Sequence, residues 1–364
     1  MRMHRLAKAR ERLGKENAVM FVSGGDDFRY LLSWSPSKDE RLTFLGISED
    51  RVALVIPSVN AQEAREHVAG SVEIFSYTDQ EGPETLLQNV FGKMAFRVHT
   101  VYVSDDARFD HVEMLKSSLK WTSPLERVSA LIAPWRMAKD SEEIDKLKAS
   151  QAINDRAIEA GLAAIRVGMT EVELQDIIHR AFMANGADRD AFIIVAAGSH
   201  SALPHHTPDH TVIAEGPVLL DIGCFKDGYA SDMTRVAYVG SPSDEFLHVH
   251  HIVNQAVEAA LSKTKALAEA QSLDHAARRV IEEAGYGSYF VHRLGHGIGL
   301  SVHEMPSIME GNPTRVPINS AFSIEPGIYL PKRFGVRLEE VVVVEEEGSV
   351  VLSQVSREIH RVKL

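Results

Sequence analysis

The sequence predicts an α+β protein built in two parts, and three observations carry the prediction. Strand and helix patterns alternate over the first third, two capping boxes open long helices in the middle, and strand-rich hairpins holding carboxylates gather in the rest. In the first part, β-branched segments at Ala18 to Val22, Arg51 to Ile56 and Thr100 to Ser104 alternate with helical patterns at Ala61 to Val68, Glu84 to Met94 and Val112 to Leu119. The pattern breaks around Ile132-Ala133-Pro134-Trp135-Arg136, and residues 1–133 and 134–364 are expected to form separate domains. Asp140 with Glu143, and Thr170 with Glu173, are capping boxes that should open helices reaching about Ile165 and Ala184. Strands follow from Phe192, then helices at Asp244 to Lys263 and Leu273 to Ala284, then a closing strand-rich stretch.

Composition narrows the function. The chain has 364 residues, 45% hydrophobic and 25% charged, as expected of an ordinary globular protein. A net charge of −12 argues against binding nucleic acid or an anionic membrane, both of which need basic surface, and makes a cation the better charged ligand. No apolar run approaches the roughly 18 residues of a membrane span, and Ala18 to Val22 is too short for a signal-peptide core. A single cysteine, Cys224, leaves no intramolecular disulfide and favours a reducing compartment such as the cytoplasm.

The first chemical feature is Asp221-Ile222-Gly223-Cys224-Phe225-Lys226-Asp227-Gly228-Tyr229-Ala230-Ser231-Asp232. Asp227-Gly228 is a strong signal for a two-residue type I′ turn, whose central positions both need positive φ. That turn places Gly223 opposite Asp232 and Asp221 opposite Thr234. Asp221 and Asp232 then become diagonal neighbours on one face, with Gly223 leaving open space between them. Two such carboxylates either bind a divalent cation or lie solvated on an edge hairpin.

A second pair sits in Ala321 to Leu330 and Val336 to Val343, expected to be two strands. If Leu330 pairs with Phe334, Glu325 faces Glu339. Like charges facing each other destabilise a sheet, and the flanking residues are too apolar for a solvated face, so positive charge is expected nearby. Arg337, on the face of Glu339, is one source and a metal is the other. Glycines bracket His296 in Gly295-His296-Gly297-Ile298-Gly299 and permit close approach of backbone to a ligand. His303-Glu304 lacks the second histidine of a zinc-protease helix, and Pro204-His205-His206 forms another tight polar site. His248, His250 and His251 share no helical face and are expected at the surface.

Four carboxylates and one imidazole suit two divalent cations with oxygen-rich ligands, Mn²⁺, Co²⁺ or Zn²⁺. Asp221, Asp232, His296, Glu325 and Glu339, with Gly295-His296-Gly297-Ile298-Gly299-Leu300 and Ser231-Asp232-Met233-Thr234-Arg235, resemble the pita-bread metallopeptidases: prolidase, aminopeptidase P and methionine aminopeptidase. The resemblance runs from about Arg136 to the end. Spacings of 11 between the aspartates and 14 between the glutamates are similar to those of prolidases. It implies a carboxy-terminal pita-bread (creatinase/aminopeptidase-like) domain behind a smaller α/β amino-terminal domain of creatinase/prolidase type. That first domain, although without a motif of its own, argues against methionine aminopeptidase. Two departures stand out: Val236 replaces a frequent second threonine, and the segment between His205 and Asp221 is one residue shorter than in archaeal prolidases, which leaves His205 and His206 both open.

The resemblance further implies a cytoplasmic homodimeric hydrolase that cleaves the bond preceding proline, most simply in Xaa-Pro dipeptides, through a hydroxide shared by two metal ions, Mn²⁺ foremost. Its metal ligands would be Asp221, Asp232, His296, Glu325 and Glu339. Glu325 would also shuttle protons, His205 and His303 would contact substrate, and Arg337 and Thr234 would hold the ligand carboxylates. An aminopeptidase acting on longer peptides is the alternative. A metal-free creatinase-like hydrolase and a non-enzymatic pita-bread binding module are disfavoured, because all five ligand types are present.

Overall fold

The computed structural model describes residues 3–68, 70 and 72–364, and the chain divides into two units between Arg136 and Met137. In the first unit the strands are β1 (Ala18–Ser23), β2 (Phe44–Ile47), β3 (Val52–Pro57), β4 (Glu73–Tyr77), β5 (Thr100–Val103) and β6 (Leu125–Arg127), and they form one mixed sheet in the order β4-β3-β2-β1-β5-β6. Helices α1 (Met3–Glu16), α2 (Asp26–Leu32), α3 (Ser58–Val68), α4 (Glu84–Phe91) and α5 (Phe109–Leu119) accompany it. Sequence reading misses α2, β2, β4 and β6, which are short and lack a repeating polar face. The break expected at 132–136 is instead a helix, α6 (Ser129–Met137), with Pro134 inside it.

The second unit repeats one plan twice: a helix pair, then an antiparallel sheet. Helices α7 (Ser141–Ala164) and α8 (Glu171–Ala184) both begin with complete capping boxes, at Asp140/Glu143 and Thr170/Glu173. They lead to β7 (Arg189–Ala197), β8 (Gly216–Lys226), β9 (Tyr229–Ala230) and β10 (Met233–Val239). The second helix pair is α9 (Asp244–Lys263) and α10 (Ala270–Glu283). After it come β11 (Gly295–Gly297), β12 (Glu304–Ile308), β13 (Ala321–Ile324), β14 (Gly327–Leu330), β15 (Phe334–Arg337), β16 (Glu340–Glu345), β17 (Gly348–Val351) and β18 (His360–Val362), the last of which adds to β10. No helix among the described residues is long and apolar enough to cross a membrane.

Strand alternation explains where the polar site lies. Val218, Leu220, Ile222 and Cys224 of β8, with Met233, Ala237 and Val239 of β10, pack with Ile158, Leu174 and Ile178 of α7 and α8. Asp221 and Thr234 therefore project from the opposite face. In the second half, Phe322, Ile324, Ile328, Leu330, Phe334 and Val336 pack with Val253, Val257, Leu273 and Ala277 of α9 and α10. Ser323, Tyr329 and Arg337 are thereby directed away from that core.

Both hairpin registers agree with the pairing read from sequence: Asp221 faces Thr234 and Leu330 faces Phe334. Asp227 and Gly228 have φ of 50° and 79°, as a type I′ turn requires. Three expectations need correction. The strands around Glu325 and Glu339 are not continuous: Ile324 pairs with Glu340 and Gly327 with Arg337, so the two glutamates occupy a break between ladders of one register. Space beside Gly223 is not open, because a Cβ there would lie 2.5 Å from the Ser231 carbonyl and 2.7 Å from the Phe192 ring. His250 is buried rather than at the surface, with Nε2 donating to the Arg357 carbonyl at 2.9 Å.

Gly295 fits so closely that a Cβ would stand 1.9 Å from the Ser323 carbonyl oxygen, with no flexible side chain to yield. Gly295→Ala should lower unfolding free energy by about 1–3 kcal/mol, read from the urea midpoint of the purified variant. An unchanged midpoint would show that β11 and β13 separate at no cost.

Candidate metal centre

The two carboxylate pairs and His296 share a cavity of about 550 Å³ in the second unit. Asp221 comes from β8, Asp232 from the loop between β9 and β10, His296 from β11, and the two glutamates from the strand breaks. Asp232, His296 and Glu339 each place a donor atom within 4.8 Å of the others. Glu325 Oε1 lies 3.1 Å from His296 Nε2, and Asp232 Oδ2 lies 3.6 Å from it.

The imidazole is oriented by its second nitrogen. His296 Nδ1 lies 3.2 Å from the Gly297 carbonyl, an acceptor only, so Nδ1 carries the hydrogen. Nε2 therefore faces the carboxylate oxygens of Glu325 and Asp232, an arrangement that places a proton or a metal cation between them. Ser323 joins the parts, its hydroxyl accepting from the His296 backbone N–H at 3.0 Å and donating to Glu325 Oε1 at 3.0 Å.

Among the described residues, Arg337 supplies the fixed positive charge directly bonded to these carboxylates, and it is buried. It pairs with Asp221, donates through Nε to the Thr234 hydroxyl at 3.1 Å, and donates through Nη1 to the Tyr329 hydroxyl at 2.7 Å. Thr234 in turn donates to Glu339 Oε2 at 2.8 Å. One guanidinium thus fixes a carboxylate from each half of the unit, directly or through a hydroxyl. Asp221 Oδ1 and Glu339 Oε1 are left buried with no hydrogen-bond partner. Orphaned carboxylate oxygens of this kind are costly, and divalent cations would satisfy them. The residues present thus fit a hard-ligand metal centre.

The electrostatics agree. Burial, then the charges of neighbouring carboxylates, push Asp232 and Glu339 well above the usual carboxylate range, and burial also raises Asp221. Glu325 moves the other way, to about 2: burial opposes this, but the hydrogen bond and charge of His296 outweigh it. His303, whose ring meets His296 edge-on at 4.2 Å, is brought to about 4 by desolvation and then by the charges of His296 and Arg293.

His205 and His303 line the cavity, whereas His206 turns away to Glu171. Sequence reading did not single out Ser323, His292, Tyr329 or Arg293. Tyr329 and His292 Nε2 are 2.8 Å apart, extending the chain of hydrogen bonds from Arg337. A sequence signal existed for Tyr329, which shares the face of Arg337 two pairs along the hairpin; His292 gave none beyond its nearness to His296. Phe192, Ile194 and Val302 form an apolar wall.

Residues 145–346 match metallopeptidase family M24. The chain is 35% identical over 348 residues to the Xaa-Pro dipeptidase of Lactobacillus helveticus, covering 94% of each chain. The crystal structure of a prolidase from Thermococcus sibiricus superposes with a TM-score of 0.91 at 32% identity, covering 100% of this chain and 99% of the other. An X-Pro aminopeptidase from Thermotoga maritima superposes with a TM-score of 0.86 at 32% identity, covering 99% of each.

The raised carboxyl of Glu339 gives a pH signature. A carboxyl whose pKa is higher folded than unfolded imposes no penalty below its unfolded value near about 4.3, and destabilises increasingly as pH rises through the folded value. Metal-free Glu339→Gln should therefore melt several degrees above the metal-free parent at pH 8, with the gap closing towards pH 4. A variant that melts below the parent at pH 8 would show that the charge is already compensated.

Proposed function

The chain belongs to metallopeptidase family M24, and on that premise we propose that it hydrolyses the peptide bond preceding proline in Xaa-Pro dipeptides. The observation carrying this reading is the convergence of four carboxylates and one imidazole able to ligate metal, two of them with orphaned buried oxygens, in a cavity also lined by Phe192, Ile194 and Val302. The dipeptidases and prolidases similar over nearly the whole chain support the specificity. Residues 134–364 would form the catalytic domain, following the α/β domain of residues 1–133 in the chain.

Asp221, Asp232, His296, Glu325 and Glu339 would hold two divalent cations, which supply carbonyl polarisation and a water of lowered pKa. The oxygen-rich set favours Mn²⁺, with Co²⁺ or Zn²⁺ as substitutes. Glu325 is ionised at neutral pH and keeps a contact with solvent, so it can accept a proton from the attacking water and return it to the leaving nitrogen. His303, neutral at that pH, donates a hydrogen bond to the developing oxyanion without bringing a charge of its own, and His205 reaches the same cavity. Thr234 and Arg337 hold the ligand carboxylates in place.

The leaving proline has no N–H in the substrate amide, so its ring needs apolar contact rather than an acceptor. Phe192, Ile194 and Val302 offer apolar surface in the cavity. Arg293 lines the cavity with its Nη1 donating to Ser307 Oγ at 3.2 Å and no carboxylate partner among the described residues. It is therefore placed to meet the free carboxylate of a dipeptide. Similarity to an X-Pro aminopeptidase favours the second reading, cleavage of longer peptides. We place the enzyme in the cytoplasm, consistent with one buried reduced cysteine, and as a homodimer by resemblance to prolidases.

Hydrolysis of Ala-Pro and Ala-Pro-Ala, compared on metal-stripped protein refilled with Mn²⁺, tests the assignment. Cleavage confined to the dipeptide is expected; equal cleavage of the tripeptide would establish the aminopeptidase reading, and cleavage of neither would reject proline specificity. Under the same conditions His303→Ala should lower kcat on the order of 100-fold with bound metal unchanged. Loss of metal in that variant would make His303 a ligand.

A further inference from the structure

Outside the cavity, a second group of metal-ligating side chains converges. Glu171, the first residue of α8, is wholly buried. Its Oε1 accepts from the Ala197 N–H at 2.7 Å and meets His200 Nδ1 at 3.0 Å. Its Oε2 accepts from the Asp209 N–H at 3.1 Å and meets His206 Nε2 at 2.7 Å. The two imidazole rings lie 4.1 Å apart, and Asp209 completes a set whose donor atoms all fall within 4.8 Å of one another.

We propose that Glu171, His200, His206 and Asp209 form an additional Zn²⁺-binding site, distinct from the dinuclear centre. Two carboxylates match the charge of one divalent cation, and two neutral imidazoles shift preference from Mn²⁺ towards Zn²⁺. Zinc bonds of roughly 2.0–2.2 Å in tetrahedral geometry place neighbouring donors about 3.3–3.6 Å apart. The His–Glu separations of 3.0 and 2.7 Å need only a small expansion to reach that range. Similar separations, 3.1 and 3.6 Å, relate His296 to Glu325 and Asp232 in the central cluster.

The site is also prearranged and reachable. Two backbone N–H groups fix Glu171, so the buried ligand pays little to adopt its binding position. Asp209 is exposed and the His200 side chain is 26% exposed, which gives a hydrated ion a route in. On binding, each imidazole presents to the metal the nitrogen now facing Glu171, and its hydrogen moves to the other ring nitrogen. The cation would clamp the segment from 200 to 209, which carries His205, to the first turn of α8.

Zinc counting tests this without reference to peptide specificity. After stripping and equilibration with micromolar Zn²⁺, native mass spectrometry should find three ions per chain in the parent and two in His200→Gln. Asp209→Asn, which keeps the Oδ1 that accepts from the Thr211 N–H at 2.7 Å, should weaken the third ion on the order of 100-fold. Glu339→Gln should instead deplete the central pair and spare the third, which separates a failure of this site from a failure of the dinuclear centre. If His200→Gln and Asp209→Asn both retain the parental count, the proposal is overturned and the four residues form only a hydrogen-bonded latch.

Discussion

Three buried carboxylates and the partly exposed Glu325, gathered around one arginine, cannot all be ionised at neutral pH without further positive charge. Removing each ion from water costs several kcal/mol in practice, and Arg337 compensates one of them by pairing with Asp221. The remaining charge is left as raised carboxyls on Asp232 and Glu339 and as oxygen atoms with no partner. Divalent cations would remove both difficulties at once.

The surrounding structure serves to hold those carboxylates in place. The helix-covered face of each sheet is largely apolar, and Asp221, Thr234, Tyr329 and Arg337 project to the face away from the helices. The ladder breaks at Glu325 and Glu339 release these two residues from sheet pairing. Their side chains are then positioned by Ser323 and Thr234 instead. Arg337 binds Asp221, Thr234 and Tyr329 together, so a change at Tyr329 is transmitted to Asp221 without touching it directly.

Much of this was legible in the chain because it depended on local rules. Asp227-Gly228 determined its hairpin through positive φ, and the turn alone then placed Asp221 opposite Thr234. Both capping boxes marked helix starts to the residue. What escaped depended on packing between distant segments. The space at Gly223 is filled by Phe192 from a neighbouring strand, and the strand breaks at the glutamates arise where β13 pairs with β16 while β14 pairs with β15. His250 looked solvent-facing by helical spacing, yet a carbonyl more than a hundred residues away receives its hydrogen bond. The identity of the residue that neutralises Asp221, and the attachment of His206 to Glu171, are likewise products of tertiary placement.

The central claim, that metal ions replace protons and orphaned contacts at this cluster, is tested most directly by titrating Mn²⁺ into stripped protein calorimetrically at neutral pH, in buffers of different ionisation enthalpy. The account predicts two tight ions per chain and a buffer-dependent heat from proton release, because burial and the neighbouring carboxylates raise the proton affinity of Asp232 and Glu339. Binding of a single ion, or of two with heats independent of the buffer, would contradict it.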